Sequence, residues 1–121
     1  MCLNNWGGID HKVLEFHEYV NLFSGKSGSG KSTVMDAIQV ILYGSFSPSF
    51  LNKAADDAKN RRSVLSYLRG EQKDGSANRK DCDFCSVIAL EIEDTGTHII
   101  TCIGIAFEVR KSDSEIKKFV Y

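Results

Sequence analysis

The stretch Gly25-Lys26-Ser27-Gly28-Ser29-Gly30-Lys31-Ser32-Thr33 constrains this chain more than any other. Its glycines reach backbone conformations that other residues avoid, so the segment can turn its N–H groups inward onto an anion. Apolar residues lead into it, and an amphipathic run follows. Val34, Ala37, Ile38, Ile41 and Leu42 fall at i, i+3, i+4, i+7 and i+8, the stripe of a helix laid on a sheet. Gly44 is placed to end that helix. Strand, glycine loop and helix in this order predict an α/β fold of the P-loop type.

The loop matches G-x-x-x-x-G-K-S/T in full, and each position has a physical task. Gly25, Lys26, Ser27, Gly28, Ser29 and Gly30 form an anion cradle from their amides. The helix beginning at Lys31 adds its positive end to the same place. Lys31 is expected to reach the β and γ phosphates of ATP, the Ser32 hydroxyl to ligate Mg²⁺, and Thr33 to make a further phosphate contact.

Around the loop the chain divides into three stretches. Residues 1–70 read as strands, loop and helices. Asn4 to Gly8 looks like a strand end and turn, Lys12 to His17 a short strand, and Tyr19 to Ser24 a buried strand feeding the glycines. Gly44 to Leu51 reads as a loop. Asn52 can cap a second helix to about Leu68, with Ala54, Ala58, Leu65 and Leu68 inward and Gly70 closing it. Residues 71–84 are polar and glycine-containing, a mobile connector. In residues 85–121, Ile88, Leu90 and Ile92 alternate with polar or small residues. After Asp94 to Thr97, a second run sets Ile99, Thr101, Ile103, Ile105, Phe107 and Val109 on one face. That is an antiparallel hairpin, and Ile116 to Tyr121 adds a third strand.

A chain of 121 residues holds one domain or a piece of one. Its 42% hydrophobic and 26% charged residues are ordinary for a soluble globular protein, and no apolar run nears the roughly 20 residues of a membrane helix. The start carries no signal-peptide pattern, and four scattered cysteines are too few for a disulfide framework, so a cytoplasmic setting is expected. A formal net charge of −1 leaves any nucleic-acid contact to a local patch.

Hydrolysis of a bound nucleotide also needs a carboxylate on a neighbouring buried strand. The nearest match, Val87-Ile88-Ala89-Leu90-Glu91, alternates and leads into a hairpin, so Glu91 and Glu93 read as a solvated strand face. No catalytic residue is assigned in this chain.

The order of strands, phosphate loop, helix and antiparallel strands resembles the N-terminal lobe of ABC-type ATPase heads of the structural maintenance of chromosomes (SMC) group and its SbcC and RecF relatives. Within it, NNWGGI, MDAIQVILYG and LNKAADDAKNRRSVLSYLRG most resemble the MukB-like condensins, including the JetC subunit of the Wadjet defence system. Ser27 stands where the family usually carries Asn, and Lys26 adds a positive charge. The resemblance implies an ATP- and Mg²⁺-binding half-site. It implies a signature motif, Walker B carboxylate and catalytic Glu in a C-terminal lobe beyond a coiled coil, an ATP-dependent second head, and DNA as the polymer handled in chromosome organisation, repair or plasmid defence. The chain itself is then expected to hold ATP weakly and hydrolyse it negligibly, as a truncated piece or a split reading frame. Two rivals are a small P-loop phosphotransferase and a non-catalytic, nucleotide-gated interaction module.

Lys53, Arg61, Arg62 and Arg69 read mainly as solvated helix charges, with a phosphate or DNA contact as the alternative. Cys82-Asp83-Phe84-Cys85 has zinc-ligand spacing but no second ligand pair, so both thiols read as idle. His11, His17 and His98 read as surface or half-buried. Trp6 reads as core, with base stacking the lesser alternative.

Overall fold

A computed structural model describes residues 1–44, 64–71, 75–112 and 116–121. Its elements are β1 (Cys2–Trp6), β2 (Ile9–Val13), α1 (Lys31–Tyr43), α2 (Val64–Arg69), β3 (Phe84–Glu93), β4 (Ile100–Val109) and β5 (Lys117–Val120). The strands form one antiparallel sheet in the order β2-β1-β3-β4-β5. The two N-terminal strands therefore share a sheet with the late hairpin.

The core lies between one face of this sheet and the helices. Leu3, Ile88 and Ile105 stand opposite one another on β1, β3 and β4, all buried. Phe107 and Val109 extend the row, and α1 covers it with Val34, Ala37, Val40 and Ile41. Leu42, expected inside, is exposed, and Val40 takes its place. The stripe through 34, 37 and 41 is centred on 37 and 41, which turns Val40 inward and Leu42 outward.

Trp6 reaches this core through a break in alternation. Residues three apart on a strand face opposite sides. Asn5 has φ +50, a left-handed conformation that Asn tolerates better than most residues, and Leu3 and Trp6 are both fully buried. Gly7 and Gly8 then make the two-residue turn into β2, since Trp6 pairs with Ile9. β2 spans Ile9–Val13, earlier than the Lys12 to His17 strand that the apolar pattern suggested.

The expected strand at Tyr19 to Ser24 does not form. Asn21 closes a local turn instead: its Oδ1 accepts the His17 N–H at 2.7 Å and its Nδ2 donates to the His17 carbonyl at 2.9 Å. No described strand lies beside the segment, and Tyr19 and Leu22 are 87% and 88% exposed. A ribbon without neighbours has no ladder to satisfy its backbone, so the local turn wins. Phe23 and Leu14 still pack on the core margin, and Phe23 meets Phe16 edge-on at 6.3 Å.

The hairpin pairs Phe84 with Val109 through Glu93 with Ile100. Its inner end is buried, while Ile92, Ile99, Ile100 and Thr101 project beyond the core and are exposed. Asp94 holds the tip, its Oδ1 accepting the N–H groups of Gly96 (2.9 Å) and Thr97 (2.7 Å). Those bonds favour the ionised form and hold the Asp94 carboxyl below the ordinary aspartate value.

Of the second helix, only its last turns fall among the described residues. Leu68 is buried and Gly70, at φ +68, closes it as expected, while Asn52, Ala54 and Ala58 lie outside the described residues. The described part of the connector makes contacts of its own. Glu71 bridges to Ala77, and Arg79 is buried. The Arg79 guanidinium donates to the carbonyls of Gly7 and Leu68, pairs with Asp10 at 2.6 Å and lies 5.4 Å from the centre of the Phe84 ring. It ties the β1–β2 turn to the end of α2.

Arg79→Ala leaves two backbone carbonyls without their donors and is expected to destabilise the chain by about 2–4 kcal/mol in urea unfolding. Asp10→Asn, at the exposed end of the pair, should cost less than about 1 kcal/mol. For the hairpin tip, the Gly96 and Thr97 amide resonances should titrate with the depressed Asp94 value. The contribution of this turn is present above the unfolded-state value and is lost as pH falls through the folded one. Asp94→Asn should abolish that transition.

Candidate phosphate-binding site

Three of the loop's backbone positions require glycine. Gly25, Gly28 and Gly30 have φ of +152, +81 and +87. A Cβ on Gly25 would stand 2.8 Å from Ser29 Oγ, so a side chain there would have to displace that hydroxyl in addition to the strain of its φ. The Ser29 N–H donates to the Lys26 carbonyl at 3.2 Å, which fixes the bend between the outer glycines. Gly30 is the N-cap of α1 and offers no side-chain oxygen to the first turn. That turn carries no acidic residue either, so its free N–H groups and the positive end of the helix dipole face outward.

Lys31 sits at the first helical position with its ammonium folded over the loop. Its Nζ donates to the carbonyls of Gly25 (2.6 Å) and Lys26 (2.8 Å) and to Ser29 Oγ (3.3 Å). The cation is thus stationed beside the cradle by the loop's own oxygens. Ser32 is exposed next to it, and Thr33 is half-buried against Gly7. Ile9 flanks the loop, 3.8 Å from where a Cβ of Gly30 would stand. Gly25, Lys26, Ser27, Gly28, Ser29, Gly30, Lys31, Ser32 and Thr33 thus make one contiguous glycine loop and helix start with the Lys31 ammonium drawn over it, an arrangement chemically suited to phosphate oxygens.

The other sequence candidates lie elsewhere. Arg69 donates to the carbonyls of Arg110 (3.4 Å) and Lys111 (3.5 Å), closing the far end of β4, and so acts within the fold. Lys53, Arg61 and Arg62 are outside the described residues. Cys82 and Cys85 are free and exposed, and no group of three metal-ligating side chains occurs among the described residues. Trp6 is fully buried, which removes base stacking. His98 is exposed beside Glu93, at 3.1 Å. Glu91 and Glu93 are exposed on the hairpin, as expected of a solvated strand face.

Three side-chain roles of consequence escaped the sequence, those of Asp36, of the Trp6 indole and of Arg79. Asp36 is buried within α1 and accepts the Tyr67 hydroxyl at 3.0 Å. The Trp6 indole donates to the Thr33 carbonyl at 2.9 Å. A carboxylate at an inward helical position was the available signal for Asp36; nothing local announced Arg79.

Residues 1–58 match the family described as the P-loop containing region of the AAA domain. The chain is 33% identical over 72 residues to the SbcC component of the SbcCD nuclease of Staphylococcus haemolyticus, a match covering 56% of this chain and 6% of that protein. It is 29% identical over 72 residues to the DNA double-strand break repair Rad50 ATPase of Saccharolobus solfataricus, covering 60% of this chain and 8% of that protein. The chain thus matches less than a tenth of the length of either relative. No solved structure matches it. No helix among the described residues is long and apolar enough to cross a membrane.

Gly25→Ala is expected to weaken binding of tripolyphosphate, read by ³¹P NMR, by about tenfold through backbone strain and displacement of the Ser29 hydroxyl. The thermal midpoint should move little, because the loop is exposed.

Proposed function

We propose that this chain is the ATP-binding N-terminal portion of an ATPase head of the SMC, SbcC and Rad50 type, acting on DNA. The observation that carries the proposal is the loop itself: three glycines in left-handed or related conformations, Lys31 drawn over them, and an uncapped helix N-terminus behind. Similarity to a repair ATPase and a nuclease component over 72 residues supports the choice of class. The residues present fit a magnesium nucleotide. Loop amides and Lys31 would hold the phosphates, and Ser32 the Mg²⁺, which supplies charge neutralisation at the β and γ oxygens.

The exposed ribbon ahead of the loop supports a divided site. Tyr19, Val20 and Leu22 stand in water where a P-loop strand is ordinarily enclosed by parallel neighbours. A C-terminal lobe of the same ATPase would supply those neighbours, together with the Walker B carboxylate and catalytic glutamate. A second head would complete the site, and the assembly would work in chromosome organisation, repair or plasmid defence in the cytoplasm. The stretches NNWGGI and MDAIQVILYG favour the MukB-like subgroup that includes JetC.

Calorimetric titration with Mg·ATP tests the reading. The wild-type chain should bind weakly, and Lys31→Ala should weaken binding a further 10- to 100-fold or so, the loss of a charged hydrogen-bond donor. Turnover should be negligible until a C-terminal lobe is added. Rapid hydrolysis by the chain alone, abolished by replacing one of its own carboxylates, would refute the divided site.

A further inference from the structure

The geometry points to Trp6 as a positioning residue for the nucleotide site, an inference that rests on the ATP-binding reading above. Its indole N–H, donated to the Thr33 carbonyl, sets the roll of the first turn of α1. With that roll it sets the aim of the Ser32 hydroxyl and of the amides around Gly30.

Trp6 is fully buried, and its polar atom is directed at the first turn of the phosphate-binding helix rather than at its own strand. The carbonyl it meets belongs to the residue directly after Ser32. Thr33 also lies close against the β1–β2 turn: its Cγ2 stands 3.0 Å from where a Cβ of Gly7 would be, and Gly7 itself has φ +53. The indole ring is itself clamped, 5.1 Å from Tyr67 at 59° and 6.1 Å from Phe107 at 30°. Tyr67 then donates its hydroxyl to Asp36 Oδ2 at 3.0 Å. Positions 33 and 36 are three apart, on one side of α1. Two rings in mutual contact thus place two hydrogen bonds on one flank of one helix, close to its phosphate-binding end.

Packing alone does not call for this arrangement. A phenylalanine would fill most of the same volume, and the helix ladder already gives the Thr33 carbonyl a donor four residues on. The indole bond adds direction. Apolar contacts let a helix rotate or slide by fractions of an ångström, while a directional hydrogen bond from a ring held between two others resists rotation. Phosphate and Mg²⁺ ligation depends on displacements of that size.

The test compares Mg·ATP affinity of the purified chain with those of Trp6→Phe and Ile105→Val. Ile105→Val thins the same core without touching α1's hydrogen bonds. Trp6→Phe should raise Kd about three- to tenfold at a temperature where it remains folded, the range set by one lost hydrogen bond. Ile105→Val should lower the thermal midpoint and leave Kd unchanged. Wild-type affinity in Trp6→Phe, or an equal loss in both variants, overturns the inference. Should Trp6→Phe not fold, the unsubstituted chain still decides the matter. Trp6 is the one tryptophan, so its indole N–H gives a single resonance, which should shift on saturation with Mg·ATP and stay fixed in Lys31→Ala. An unmoved resonance in a chain that binds ATP overturns the inference while leaving the ATP-binding reading intact; absence of binding by the wild-type chain removes both.

Discussion

The left-handed turn of the backbone at Asn5 is the constraint on which the rest of this fold hangs. An unbroken β1 would send either Leu3 or Trp6 to solvent. With the twist, both lie under α1. The indole then meets the helix, the Gly7–Gly8 turn follows at once, and that turn gives Arg79 the Gly7 carbonyl that locks the connector. One residue's dihedral angle thus links strand, helix and connector around a shared centre.

The polar groups inside this centre follow a consistent logic. Arg79 meets backbone carbonyls, a carboxylate and an aromatic face, and Asp36 meets a tyrosine hydroxyl. Buried groups of this kind cost free energy unless paired, and their pairing fixes relative orientation more sharply than apolar contact does. They tie together the two strands and two helices nearest the glycine loop, so order is concentrated where an anion would be gripped. The hairpin tip, with Ile92, Ile99 and Ile100 in solvent, lies beyond their reach.

Much of the candidate site was legible in the sequence because a glycine loop ahead of a helix is a local device. Its glycines, lysine and hydroxyls are contiguous, and the helix behind them announces itself by period. The hairpin was legible for the same reason, period two on both sides of a short turn. What failed was non-local. Tyr19 to Ser24 has the composition of a strand, yet a strand exists only beside another, and the Asn21 side chain settles the segment as a turn. The inward facing of Val40 over Leu42 depends on how α1 rolls against the sheet. The roles of Arg79 and Arg69 depend on carbonyls that lie far off in the chain.

The ribbon between β2 and the glycine loop sets the behaviour of this chain in concentrated solution. With a formal net charge of −1, long-range repulsion between copies is slight, and the tyrosine, valine and leucine it holds out in water form one adhesive part of the surface. Together with the isoleucines at the hairpin tip, this stretch is where one copy of the chain would adhere to another, at a place that adds little to the fold's own packing.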